Sequence, residues 1–153
     1  MDNQTLPYAS RGRRILASII DSLLIMVATV PLLLMFYGTE YYTSDQVFFG
    51  TADAIINYIL PLVAVIGFWV YCQATPGKLG MKMIIVDANT GGKPSIGQYI
   101  IRYLGYIIAT IPLGLGLFWV LWDKRRQGWH DKMAKTVVVD TRPLSNNNAI
   151  LDN

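Results

Sequence analysis

Four charged residues of this chain have the types and spacing to do chemistry: Arg14, Asp21, Arg102 and Asp131. Asp21 interrupts an otherwise apolar run, ILASIIDSLLIMVATVPLLLMF, from Ile15 to Phe36. At about 1.5 Å per residue such a run covers the roughly 30 Å hydrocarbon core of a bilayer. A carboxylate inside that core costs about 2.5–3.5 kcal/mol on insertion scales, so it faces a bundle interior or a wet cavity and needs a partner. Arg14 is seven positions earlier on the same helix face, but about 10 Å away along the axis. That is too far for an ideal direct pair, and Arg14 is expected to snorkel to the headgroups. Arg102 lies about 10 Å into a helix that begins near Ser95. Matching depth therefore predicts a buried Asp21–Arg102 pair. It reads first as a structural bond that fixes helix packing. The alternative is a proton- or ion-handling carboxylate with a counter-charge.

Other motifs are weaker. His130-Asp131 lacks the further histidines of a metal-dependent phosphohydrolase, and no G-x-S-x-G presents a nucleophile for a hydrolase. Asp131 is expected to anchor the return of the chain to a strand, with Arg14 as a candidate partner. Thr75-Pro76-Gly77-Lys78 resembles the end of a phosphate loop, but Cys72 occupies the position of its first glycine and Leu79 that of its Ser/Thr. It reads as a turn. One Cys and one His exclude an internal disulfide and the usual zinc constellations. No enzyme activity, cofactor or metal is expected. Lys124, Arg125 and Arg126 read mainly as a topology signal, with contact to anionic lipid as the alternative. Nucleic-acid binding would need a larger basic face.

The elements that must position these residues follow from composition. Of 153 residues, 53% are hydrophobic and 15% charged, against about 25% charged in a soluble domain. The deficit falls in three apolar stretches, so the bilayer is the expected environment. The first stretch is too long for a signal-peptide core and reads as a retained anchor. Ala54 to Cys72 is a second span without charge, with Pro61 as an expected kink, Gly67 as a site of close helix approach, and Trp69 and Tyr71 as an aromatic belt. Arg11, Arg13 and Arg14 precede the first span. Glu40, Asp45 and Asp53 lie between the two, and Lys78, Lys82 and Lys93 follow. This basic–acidic–basic order places the N-terminus in the cytoplasm.

The third stretch, Tyr103 to Trp122, is interrupted by Pro112-Leu113-Gly114-Leu115-Gly116. A straight crossing would put the basic C-terminal part outside. It would also separate two β-branched segments, Met81–Asp87 and Thr136–Asp140, that read as strands. Pro94-Ser95 reads as a helix start with Ser95 as N-cap. The expected fold is an α-helical membrane protein with two transmembrane helices, a broken or re-entrant third hydrophobic segment, and a small cytoplasmic β-hairpin or ribbon. A full third crossing is the alternative. One domain is expected over residues 8–140, with a disordered tail over 141–153.

Three of these motifs, in this order, resemble the RDD family of small membrane proteins, named for one arginine and two aspartates. They are Arg14-Ile-Leu-Ala17-Ser-Ile-Ile-Asp21, the loop from Thr75-Pro-Gly-Lys78 through Gly80 to Val86-Asp87, and Gln127-Gly128-Trp-His-Asp131 through Thr136-Val-Val. The resemblance makes Arg14 the family arginine, Asp21 the first aspartate and Asp131 the second. It implies a multi-pass protein of a bacterial inner membrane. Transport has been suggested for the family, with cation/proton exchange for some members. The expected function is transport of an ion or small solute by a homo-oligomer, because two or three helices cannot enclose a pathway. The competing expectation is a non-transporting adaptor whose buried charges serve packing and partner binding.

Overall fold

The computed structural model describes residues 6–142; of the tail expected over 141–153, Thr141 and Arg142 are held by hydrogen bonds to Lys82 and Asp140, and residues 143–153 lie outside the described residues. Helix α1 (Arg11–Tyr37) takes in the whole first apolar run and carries Pro31 within it. Two single-turn helices follow, α2 (Glu40–Thr43) and α3 (Thr51–Ala54). The chain then passes through a π-helical turn, Ile55–Ile59, into α4 (Leu60–Cys72). The π turn accounts for Pro61. Proline offers no N–H, and its ring crowds the carbonyl four residues back. Widening the preceding turn relieves that clash. Arg11–Tyr37 and the helical stretch Thr51–Gly80 are long and apolar enough to cross a membrane. Many of their apolar side chains, Leu23, Met26, Val27, Ile59 and Val63 among them, point outward.

At Gln73 the chain turns through a left-handed residue (φ +55°) into the short helix α5 (Pro76–Gly80) and strand β1 (Met83–Asp87). The third apolar stretch forms α6 (Ile96–Thr110), α7 (Leu115–Phe118) and a 3-10 turn, Trp119–Leu121. Helix α8 (Trp129–Met133) and strand β2 (Thr136–Asp140) complete the order. Ser95 caps α6: its Oγ accepts from the Gln98 N–H, and the Gln98 side chain accepts from the Ser95 N–H. Such a reciprocal cap satisfies two donors that a helix start otherwise leaves free.

β1 and β2 pair antiparallel from Met83↔Asp140 to Asp87↔Thr136. The period of two divides their side chains. Met83, Ile85 and Val138 pack with Ala9, Ala17, Trp69 and Tyr99, while Val86, Val137 and Val139 pack with Leu6 and Tyr8. Both edges of the ribbon are covered. Ala9 N donates to Val138 O (2.9 Å) and Asp140 N to Pro7 O (2.8 Å) on one side, and Ile85 N donates to Gln73 O (2.7 Å) on the other. The ribbon therefore sits where α1 begins and α4 ends. At the opposite end of these helices, Asp53 is buried and accepts from Tyr41 Oη, Asn57 Nδ2 and Phe49 N.

The third stretch is bent by 115° between Ile96–Thr110 and Leu115–Leu121. Leu113 (φ +53°) and Gly114 (φ +78°) make the turn. Since β1 and β2 pair, the segment between them leaves the ribbon and returns to it.

Two expectations need correction. Trp69 is not a belt residue: it is 1% exposed and lies in the core, whereas Tyr71 does face outward. Gly67 has nothing within 4 Å of where a Cβ would stand, so no close helix approach depends on it.

Candidate functional site

Asp131 stands in the first turn of α8 and is fully buried. Gly128 N donates to its Oδ2 (2.9 Å), as does Arg14 Nη2 (2.6 Å). Arg102 Nη1 donates to Oδ1 and also to Thr136 Oγ1 (2.6 Å). One carboxylate thus ties α1, α6, α8 and the start of β2 together. Arg14 donates in addition to the Arg126 carbonyl. The Arg102 Cζ lies 5.4 Å from the Trp69 ring and 5.8 Å from that of Tyr106, so aromatic faces stabilise the rest of this buried cation.

Glycine allows this approach. A Cβ on Gly105 would stand 2.7 Å from His130 Cα, and one on Gly128 would stand 2.7 Å from His130 Cε1. His130 stacks on Tyr106 with ring centres 4.0 Å apart, and its Nε2 is 3.4 Å from Asp131 Oδ2. Burial pushes the Asp131 carboxyl up, but the Arg102 and Arg14 guanidiniums overcome that and hold it far below the usual carboxylate range. For His130 burial prevails over the attraction of Asp131, and the imidazole is pushed down to about 3.

The second cluster surrounds Asp21, whose side chain is 14% exposed. Thr75 Oγ1 donates to Oδ2, and Gly77 N donates to Oδ1 (2.7 Å). The buried Lys78 Nζ stands 3.8 Å from Oδ2 and 3.3 Å from Thr75 Oγ1. Gly77 is required here: a Cβ on it would stand 2.8 Å from Asp21 Oδ1 and would overlap the Ala17 carbonyl. A groove of about 190 Å³ runs from this cluster between α1 and α4, lined by Leu24, Ile25, Ala28, Leu60, Ala64 and Phe68 among others. Asp21 and Thr75 contribute polar groups to it.

The expected Asp21–Arg102 pair is therefore not formed. Depth along two ideal helices gives an axial coordinate and says nothing of azimuth. Arg102 projects toward α8, and the segment after α4 folds back over Asp21. Arg14 does not snorkel either; it is buried on Asp131. Thr75-Pro76-Gly77-Lys78 is not a plain turn but the start of α5, and it supplies every partner Asp21 has among the described residues. Of the basic run, Arg126 turns inward, its Nη1 donating to the Tyr8 and Ala9 carbonyls (both 3.0 Å). Lys124 and Arg125 are exposed. Trp129 packs against Gly116, while Trp119 and Trp122 are exposed. No group of three or more His, Cys, Asp or Glu able to hold a metal ion occurs among the described residues.

Arg14, Asp21 and Asp131 are each fixed by a segment distant in the chain. The sequence model of the RDD family matches residues 8–135. The chain belongs to the RDD family. It is similar to an uncharacterized protein of Rickettsia prowazekii (strain Madrid E), 42% identical over 74 residues, which are 48% of this chain and 40% of that protein. It is also similar to a proline-rich antigen homolog of Mycobacterium tuberculosis, 35% identical over 63 residues, in the CDC 1551 / Oshkosh and H37Rv strains. That match covers 41% of this chain and 26% of the relative. The chain thus spans less than half the length of these relatives. No solved structure matches it.

In this RDD protein Arg14 and Asp131 form one lock, and Asp21 forms another. Sequence reasoning missed Thr75, Gly77 and Lys78 as partners of Asp21. The signal for them was the glycine, since a backbone N–H donor leaves no other mark. It also missed the stacking of Tyr106 on His130, which depends on tertiary packing, and the Asp53 network, to which Phe49 and Asn57 contribute from four positions away and Tyr41 from twelve.

Proposed function

We infer that this RDD protein takes part in moving a cation across the bacterial inner membrane, in exchange for protons, as an assembly of several copies. The observation that supports this reading best is the asymmetry between the two charge clusters. Asp131 is sealed by two arginines and a backbone N–H. Asp21 lies inside a membrane-length helix, at the end of a groove, with a lysine at 3.8 Å as its only cationic neighbour among the described residues. An ammonium on a flexible stem is a counter-ion that can withdraw, unlike a forked guanidinium. A mobile cation can then take its place on the carboxylate, and carboxylates within spans commonly mark ion paths. Two spans cannot enclose a path, so the outward apolar faces of α1 and α4 meet other copies or lipid.

The charge order supports an orientation with the ribbon in the cytoplasm. Arg11, Arg13, Lys78 and Lys82 belong to the ribbon end, and Glu40 and Asp53 to the other. On this reading the bent third stretch enters the bilayer and returns.

A second reading is favoured by one fact: both oxygens of Asp21 already accept hydrogen bonds. It is a scaffold in which both clusters only lock the fold. Proteoliposomes separate the two. Transport predicts that sodium, potassium or lithium gradients move protons with the wild type and not with Asp21→Asn. A folded wild-type protein that moves none leaves the scaffold.

A further inference from the structure

The polar surface next to the third apolar stretch holds a basic recess that neither lock uses. Its volume is about 290 Å³, and its walls are Ala88, Asn89, Arg125, Gln127, Lys132 and Lys135. We propose that this recess binds the phosphodiester headgroup of an anionic phospholipid.

Charge is the first argument. Lys132 is balanced by Asp123 at 2.5 Å. Arg125 and Lys135 are exposed, and among the described residues their side chains donate to no carboxylate or carbonyl. Two uncompensated cations therefore face one recess. Gln127 is held in its wall by donating to the Thr136 carbonyl (2.8 Å), so the recess is shaped by the fold. The second argument is position. The recess adjoins the point where the chain leaves its apolar stretch, with Leu121 and Trp122 exposed just before Asp123. The Lys132 ammonium lies 5.9 Å over the ring of Trp119, which is itself exposed. Tryptophan marks the headgroup level of a bilayer, and basic pockets at that level take acidic headgroups. A free phosphate ion would satisfy the same cations but has no use for the adjoining apolar surface. That continuity assigns the site to a lipid. Arg126, turned inward to the Tyr8 and Ala9 carbonyls, is not part of it.

The test is the melting temperature of the purified full chain in a neutral detergent, with added phosphatidylglycerol, phosphatidylcholine or inorganic phosphate. Variants are the Arg125→Gln/Lys135→Gln double change and Lys124→Gln, a neighbouring charge outside the recess. Phosphatidylglycerol should raise the wild-type midpoint well above phosphatidylcholine. The double variant should melt like wild type without lipid and lose the rise, while Lys124→Gln should keep it. Four results would overturn the proposal: no rise beyond phosphatidylcholine, an undiminished rise in the double variant, an equal loss in Lys124→Gln, or the same rise with inorganic phosphate alone.

Discussion

Arg14 and Asp131 stand 117 positions apart in the chain and are joined at 2.6 Å in its core. Arg14 lies in the first turn of the first membrane-length helix, and Asp131 in the first turn of α8, which leads into β2. Their bond closes the chain on itself, and Arg102 reaches the same carboxylate from α6. A carboxylate with two guanidiniums is a shared resource, so the three residues should not be equivalent in energy.

Removing one partner of a buried pair leaves an uncompensated charge and costs about 3–5 kcal/mol. Asp131→Asn strands two cations and should destabilise most. Arg102→Gln should follow, because Arg102 is wholly buried, and Arg14→Gln should cost least, because Asp131 retains Arg102. Chemical denaturation in detergent gives the order. The Arg14→Gln/Asp131→Asn double change should cost clearly less than the sum of its parts. Asp21→Asn and Arg102→Gln, which share no partner, should add within about 0.5 kcal/mol.

Gly77 and Gly67 provide a paired test of packing. Gly77→Ala forces a methyl group onto Asp21 and Ala17 and should cost about 1–3 kcal/mol. Gly67→Ala meets open space within a helix and should be neutral or stabilise by up to about 1 kcal/mol. Equal effects would contradict the position of α5 over α1.

His130 should make stability fall with acid above the range where carboxylates titrate. Its folded value, about 3, is below the ordinary 6.5. The unfolded chain therefore binds a proton that the folded chain refuses. The stability from this group is complete above pH 6.5 and declines as pH falls toward 3, by about 1.4 kcal/mol per unit. Between pH 6.5 and 5 the loss should be about 2 kcal/mol. His130 is the chain's single histidine. Asp131, also depressed, keeps its contribution until pH falls below the unfolded carboxylate range. His130→Gln should flatten the profile between pH 6.5 and 5, as denaturation midpoints across pH would show.

Single cysteines test the proposed orientation in a Cys72→Ser background. Asn89→Cys, at the ribbon turn, should be shielded from an impermeant thiol reagent in intact cells, and Ser44→Cys should react. Reaction of both from outside would exclude a crossing by the Thr51–Gly80 stretch and with it the proposed orientation.

Much of this arrangement was legible in the sequence for identifiable reasons. Long apolar runs announced α1 and the Thr51–Gly80 stretch, because bilayer thickness sets a length. Pro94 and Ser95 announced the start of α6 through the chemistry of an N-cap, and Gln98 completes that cap in the structure. Pro112 and Gly114 announced the bend. The partner of Asp21 was not legible. A rise per residue fixes how deep a side chain lies and not which neighbour it faces, and one of its donors is a backbone N–H. Trp69 was misread because an aromatic near a span end suits a belt as well as it suits a cover over a buried arginine.

The proposed role rests on whether the Asp21 carboxylate takes a cation in place of Lys78. Infrared difference spectroscopy of the reconstituted protein observes that carboxylate directly. Spectra are compared at fixed pH in sodium, potassium or lithium and in a bulky organic cation. The account predicts that at least one metal cation shifts a carboxylate stretch, and that the shift is absent in Asp21→Asn. Spectra of the folded wild type identical in all four cations, or a shift that persists in Asp21→Asn, would contradict it.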